Sequence, residues 1–370
     1  MQMLRRVVLG GFKSIRSMDL ELRPLNVLIG ANGAGKSNFV SFFGMINAVI
    51  GEKLQLYVAK SGRAPCLLHY GPKVTNQVEA RLEFEDREGS TTFDLRLAYA
   101  AGDTLVFAEE TLGWKLPNAN GPPGVVPLGG GGQESRIRAA AQRGDVTARV
   151  LINLINGCRI YHFHDTSSTA RVMQFCYVGD NRTLLSDGGN LAAFLYRLQN
   201  QDEGFAYNRI VSTVRAIAPY FDDFALEPDS ANPKEIMLNW RERESDMLFG
   251  PHQLSDGTLR AIFLVTLLLQ PEEDLPGLVI IDEPELGLHP YALNVIASLV
   301  EMASHHCQVL VSTQSSSFLD NFDPEDIVVV DRKGKESVFT RPTVSTLESW
   351  LEEYSLSEVW EKNVIGGGPH

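Results

Sequence analysis

The sequence predicts an α/β fold with a mixed core sheet, an antiparallel side sheet and a mainly helical insert. Three observations carry this. The apolar-rich run 25–29 reads as a buried strand, and 278–281 and 309–312 are buried strand candidates. Residues 77–107 alternate apolar and polar side chains with period two, as an antiparallel meander does. Between 133 and 245 the spacing is largely helical, and no sustained heptads suggest a long coiled-coil arm.

The elements follow in order. Runs at 3–10 and 18–22 flank the turn Gly11-Phe12-Lys13-Ser14 and read as a hairpin. The run 25–29 ends in glycine. From Lys36 to about Val49, Phe39, Val40, Phe43, Ile46 and Val49 recur at helical spacing. In the meander Val78, Ala80, Leu82 and Phe84 alternate with Glu79, Arg81, Glu83 and Glu85, with turns expected at 86–90 and 101–103. The Gly- and Pro-dense stretch 121–132 reads as a mobile loop. Helices are expected over 133–156, 190–201, 206–217 and 259–269, and short strands over 161–164, 235–239 and 247–250. Strands at 327–331 and 337–340 finish the sheet. Strands from both ends of the chain are expected to build the core sheet, and the meander the side sheet.

Composition narrows the function classes. The chain has 370 residues, 44% of them hydrophobic, ample for a core. It carries 33 Lys and Arg against 46 Asp and Glu, a net charge of −13, so any contact with nucleic acid must come from a local basic patch. Cys66, Cys158, Cys176 and Cys307 show no CxxC spacing, which indicates neither a zinc knuckle nor a redox pair and fits a reducing compartment. No apolar stretch approaches the roughly 18 residues of a membrane span, and the N-terminus reads as a strand rather than a signal peptide. A cytoplasmic location without membrane partners is expected.

Gly30-Ala31-Asn32-Gly33-Ala34-Gly35-Lys36-Ser37 matches GxxxxGK[ST], the Walker A pattern, after a buried strand and before a helix. Glycines let backbone N–H groups wrap phosphates, and the helix turns its positive end toward the anion. Lys36 is expected to reach the β- and γ-phosphates of ATP and Ser37 to ligate Mg²⁺; Asn32, Gly33, Ala34, Gly35 and Asn38 complete this binding set. Leu278-Val279-Ile280-Ile281-Asp282-Glu283 has the Walker B form, with Asp282 expected to hold Mg²⁺ and Glu283 to act as general base. Such a run is weak evidence alone and strong beside a Walker A motif.

Leu254-Ser255-Asp256-Gly257-Thr258 precedes an apolar helix and by itself is a polar N-cap. At this order and distance it resembles the ABC signature LSGGQ, with Asp256 in place of a glycine, Thr258 in place of glutamine, and Gly257 kept. With Gly11-Phe12-Lys13-Ser14, Asn32, Asn38, Asp282-Glu283-Pro284-Glu285 and Leu288-His289-Pro290, these residues make the chain resemble ABC-type ATPases of the RecF/SMC class. It is close to RecF-like AAA family ATPases and the ATPase half of OLD proteins. The similarity covers 1–50 and 245–340 well, and the middle only in general plan.

The resemblance implies a P-loop NTPase fold with an ABC-ATPase head spanning 1–370. Its nucleotide-binding core would be 1–55 plus 245–345, its side sheet 75–112, its helical insert 133–245 and its tail 346–370. It further implies that Ser255 and Gly257 contact the γ-phosphate held by the opposite subunit, making ATP the glue of a head-to-tail homodimer. At the switch position, Ser312-Thr313-Gln314-Ser315, the family often has histidine; Gln314 can orient water but cannot take its proton, so slow ATPase turnover is expected.

Two further groups have a bland and a sharp reading. His162-Phe163-His164-Asp165 places two imidazoles on one face of the expected strand; hydrogen-bonded histidines are favoured over half a metal site. Arg136, Arg138, Arg143, Arg149 and Arg159 form a basic cluster, read as a solvated helix face before a nucleic-acid patch. Three outputs remain open: an ATPase controlling a separately encoded effector, as in prokaryotic antiviral defence; a RecF-like ATPase with DNA as partner; and a non-hydrolysing, nucleotide-dependent scaffold.

Overall fold

The computed structural model describes residues 2–117, 121–343, 350 and 352–368. Part of the expected tail, at 346–349, 351, 369 and 370, lies outside the described residues. In chain order the strands are β1 (Met3–Phe12), β2 (Ile15–Glu21), β3 (Leu25–Ile29), β4 (Gln77–Asp86), β5 (Gly89–Ala100), β6 (Thr104–Lys115), β7 (Gly124–Pro127), β8 (Cys158–Tyr161), β9 (Cys176–Tyr177), β10 (Phe221–Phe224), β11 (Glu235–Ile236), β12 (Trp240–Glu242), β13 (Leu248–Phe249), β14 (Leu278–Asp282), β15 (Gln308–Thr313), β16 (Ile327–Lys333) and β17 (Glu336–Thr340). The helices are α1 (Lys36–Ile50), α2 (Leu54–Lys60), α3 (Ala64–Leu67), α4 (Ile137–Gln142), α5 (Val146–Asn156), α6 (Leu191–Asn200), α7 (Phe205–Ile217), α8 (Asp256–Leu269), α9 (Pro290–Ser304), α10 (Ser316–Leu319) and α11 (Leu356–Glu361). They fall into two compact units: 1–160, 276–280 and 307–370 in the first, 161–275 and 281–306 in the second.

The first unit holds two six-stranded sheets. The core sheet runs β17-β16-β3-β15-β14-β8. Its centre is parallel: β15 and β16 flank β3, with Val311 opposite Val27 and Val328 opposite Leu28. Every residue of β3 and β15 is buried, which explains their mostly apolar composition. The second sheet runs β2-β1-β4-β5-β6-β7 and is antiparallel throughout. Its buried faces share one apolar core with α1 and α5, centred on Phe12, Phe39, Phe42, Phe93 and Leu112. Gln308 ties the sheets together: its amide donates to Leu4 O at 2.9 Å and accepts from Leu4 N at 3.0 Å, all buried.

Several expectations are corrected here. The β1–β2 hairpin belongs to the side sheet, so from the N-terminal segment only β3 enters the core sheet. Period-two alternation fixes a strand's faces but not which sheet it joins. The Gly/Pro stretch is not simply a loop, because 124–127 pairs with β6, Val126 opposite Leu112. The expected helix over 133–156 breaks into α4 and α5, with Asp145 capping α5 by accepting from Ala148 N at 2.8 Å. The strand expected at 161–164 ends at Tyr161, so the histidines lie beyond it.

The second unit is mainly helical. α7 and α9 pack on α8, whose residues from Ala261 to Leu269 are all buried. Small antiparallel pairings, β10-β12-β13 and β9-β11, complete it.

Candidate active site

In the first unit the Gly30–Ser37 loop joins β3 to α1. Gly35 stands at φ 121°, a region that favours glycine, and a Cβ there would lie 2.1 Å from Ser337 Oγ and 2.9 Å from Ser14 Oγ. The opposite side of the loop is open: a Cβ on Gly33 meets nothing within 4 Å, and Asn32, Gly33 and Ser37 are exposed. α1 has no acidic residue in its first turn and no side-chain cap, so its positive end is left for an anion. Lys36 is buried and folds back on the loop, Nζ donating to Gly30 O at 2.6 Å and Ala31 O at 3.3 Å.

A chain of hydroxyls braces the back of this loop. Ser337 Oγ on β17 donates to the Ala34 carbonyl and accepts from Ser14 Oγ at 2.6 Å, and Asn38 Nδ2 donates to Ser14 Oγ at 2.6 Å. Asn38, expected to bind the nucleotide, is thus engaged with the β1–β2 turn. Lys13 in that turn donates to Ser41 Oγ at 2.8 Å, and burial lowers its pKa. Arg332 reaches Gly33 O at 3.2 Å and Tyr70 Oη at 2.9 Å, placing a half-exposed aromatic ring at the mouth of the loop. Gln314 follows β15 at a half-buried position. Ser312 Oγ in that strand is buried with no hydrogen-bond partner among the described residues.

In the second unit Asp282 is buried and Glu283 sits at φ 51°, a left-handed conformation rare for a non-glycine residue and recurrent at functional sites. Ser255 caps α8, accepting from Thr258 N at 3.1 Å, while Thr258 Oγ1 lies 2.9 Å from Tyr220 Oη. The replaced signature residue therefore closes a local hydroxyl network. Gly257 touches the segment after Glu283: a Cβ there would lie 2.2 Å from Gly287 O. Arg260 on α8 donates to Leu286 O at 2.9 Å and His164 O at 3.0 Å.

The two histidines join this group. His162 Nδ1 is 3.6 Å from Asp282 Oδ2, and the His162 and His164 rings meet edge to face at 3.8 Å. Burial, then the charge of His162, holds the His164 pKa below its ordinary value, against the opposing pull of Glu283 and Asp282. Phe163 stacks on Phe263 of α8 with centroids 4.3 Å apart. No cluster of three or more metal-ligating side chains stands among the described residues. The arginine cluster divides: Arg136 bonds the Leu128 and Gly130 carbonyls and Arg138 the Ile50 carbonyl, while Arg143 and Arg149 face solvent.

Comparisons with known proteins meet this geometry. The family model described as "AAA domain, putative AbiEii toxin, Type IV TA system" matches residues 190–320. A protein of Thermus scotoductus named OLD nuclease is 26% identical over 372 residues, covering 89% of this chain and 62% of its own length. The solved Smc head bound to the C-winged helix domain of ScpA superposes with a TM-score of 0.59 at 16% identity, over 95% of this chain and 99% of that one. A Smc head with an extended coiled coil, bound to the C-terminal domain of ScpA derived from Pyrococcus furiosus, gives 0.57 at 15% identity over 95% and 99%. Together these matches support a resemblance to ABC-like ATPases of the RecF/SMC/OLD type.

The likeness to the Smc heads carries the fold: a P-loop α/β head of the ABC type with more than one sheet. This chain spans 62% of the length of its OLD relative. The class implies nucleotide use, usually with Mg²⁺. Among the described residues no helix is long and apolar enough to cross a membrane. Sequence reasoning gave too little weight to His162 and His164 and missed Arg260, Ser337 and Tyr70. Ser337 and Tyr70 are single residues whose place comes only from the fold.

Proposed function

We propose that the chain binds ATP with Mg²⁺, hydrolyses it slowly, and works as a head-to-tail homodimer whose ATP-driven closure drives or gates a partner effector. The observation that carries the reading is the braced loop: Gly35 locked against Ser14 and Ser337, an open face at Gly33, and an uncapped α1 behind it. This is a phosphate cradle built before the phosphate arrives.

Within this reading Lys36 leaves the Gly30 carbonyl for the β- and γ-phosphates. Ser37 and Asp282 hold Mg²⁺, which neutralises charge on the transferring phosphoryl group. Ser37 offers an exposed hydroxyl and Asp282 a buried carboxylate, oxygen donors of the kind Mg²⁺ takes. Glu283 takes the proton of the attacking water and Gln314 orients that water. Ser255 and Gly257 of the opposite subunit close over the γ-phosphate. Asn32, Ala34 and Gly35 shape the loop, and Asn38 acts by holding Ser14.

The effector is a separately encoded protein, and antiviral defence is the setting this reading favours, supported by relatives named as a nuclease and a toxin-system domain. DNA as direct partner is the weaker reading, because two of the five clustered arginines are spent on backbone carbonyls of this chain. The test is nucleotide binding and phosphate release by wild type and Lys36→Ala. Binding and slow release in wild type, both lost in the variant, support the proposal; equal behaviour of the two contradicts it.

A further inference from the structure

We infer that the second unit carries a docking pocket for a segment of another protein, one presenting a large apolar side chain flanked by Lys or Arg. The cavity has a volume of about 290 Å³, large enough for one such side chain and at the small end for a drug-sized ligand. Its lining includes Leu198, Phe205, Pro271, Leu275 and Met302.

Three features mark it as built for a visitor. Phe205, the first residue of α7, is 68% exposed at the cavity's edge, a large aromatic surface left in water. The chain enters α7 through Asp202, Glu203 and Gly204 at φ 50°, 55° and 73°, three successive left-handed residues of which only the last is glycine. Arg209 covers one side of the Phe205 ring at 5.9 Å and approaches Met302 Sδ at 3.8 Å, so the ring is held in place rather than free to collapse inward.

Charge selects the occupant. The rim carries exposed Asp202, Glu272 and Glu273, and Glu203 follows Asp202 in the chain. Against these acids stand Arg209, over Phe205, and His306, whose Nδ1 meets Glu272 at 2.9 Å, so acids outnumber cations at the rim. An acidic rim around an apolar hole repels nucleic acid and anionic lipid and disfavours a second copy of a chain with net charge −13. A basic segment with an apolar anchor matches both parts, the anchor supplying affinity and the flanks supplying selectivity. The pocket is formed by residues of one unit and requires no nucleotide, so this inference stands or falls apart from the ATPase reading.

The test uses the full chain without nucleotide and a set of short fluorescent peptides, each with Phe, Tyr, Trp, Leu or Met between Lys/Arg flanks. Anisotropy should show saturable binding of at least one member. That binding should weaken about tenfold or more in Phe205→Ala and in Ala206→Trp, and with acidic flanks in place of basic ones. Glu273→Lys, a change on the exposed rim, should weaken it too without touching the anchor site. No saturable binding overturns the inference, as does equal binding of a peptide with alanine at the anchor. So does a wild-type self-association that Phe205→Ala abolishes, since that would make a second copy the occupant.

Discussion

His162 Nδ1 stands 3.6 Å from Asp282 Oδ2, and the histidine is 59% exposed while the carboxylate is 5% exposed. The imidazole thus shields a buried acid from the solvent side. In metal sites, partners of the liganding group orient it, and their loss typically costs about 10–100-fold in metal affinity or activity. We expect His162→Ala to raise the Mg²⁺ concentration needed for nucleotide turnover about tenfold, with nucleotide binding in chelator little changed. Mn²⁺ titration followed by electron paramagnetic resonance reads the same effect without turnover. An unchanged metal dependence would reduce His162 to a surface neighbour.

Gly257 meets Gly287 backbone to backbone. Alanine at a helix position normally gains up to about 1 kcal/mol over glycine. Here its Cβ would lie 2.2 Å from Gly287 O, a distance no pair of atoms tolerates, and neither partner is a flexible side chain. Overpacking of this kind costs about 1–3 kcal/mol, so Gly257→Ala should lower stability in denaturant titration by about 1 kcal/mol or more. A neutral or stabilising result would mean that the signature turn does not pack as described.

Ser14 and Ser337 share one hydrogen bond behind the nucleotide loop, and Ser337 also serves the Ala34 carbonyl. Each alanine variant should cost about 1–3 kcal/mol, because a buried partner is left unsatisfied. In the double variant the losses should fall short of additive, since one bond is counted in both. Nucleotide affinity should drop in step with stability. Strict additivity would show that the two hydroxyls act apart.

His164 offers a pH signature. Its pKa in the fold lies below the ordinary 6.5, chiefly through burial. The unfolded chain therefore takes up the proton first as pH falls, so stability is full above pH 6.5 and declines as pH falls toward the depressed folded value. Melting temperature followed from about pH 8 to about pH 5 should fall more steeply in wild type than in His164→Gln. Parallel curves would remove His164 from the acid response.

The strands of the core sheet were legible because burial on both faces leaves a mostly apolar run; 25–29 coincides with β3, and 278–281 falls one residue short of β14. The Gly30–Ser37 loop between β3 and α1 was legible because the Walker A pattern demands particular residues at particular spacing after a strand and before a helix. The place of the β1–β2 hairpin was not, since Val7 and Leu9 point inward whichever sheet they join. The strand 124–127 was hidden by the Gly and Pro around it, which are tolerated because it is an edge strand. The histidine pair was underestimated for a different reason. Its meaning lies in Asp282, far away in sequence, and no local pattern announces that meeting.

The central claim is an ATP-closed dimer, and the mass in solution of wild type and Glu283→Gln, with and without Mg-ATP, tests it most directly alongside phosphate release. The account predicts that the variant binds ATP, shifts to about twice its mass and stops releasing phosphate, while wild type shifts only transiently. A mass unmoved by ATP in both proteins, with no phosphate released by wild type, would contradict it.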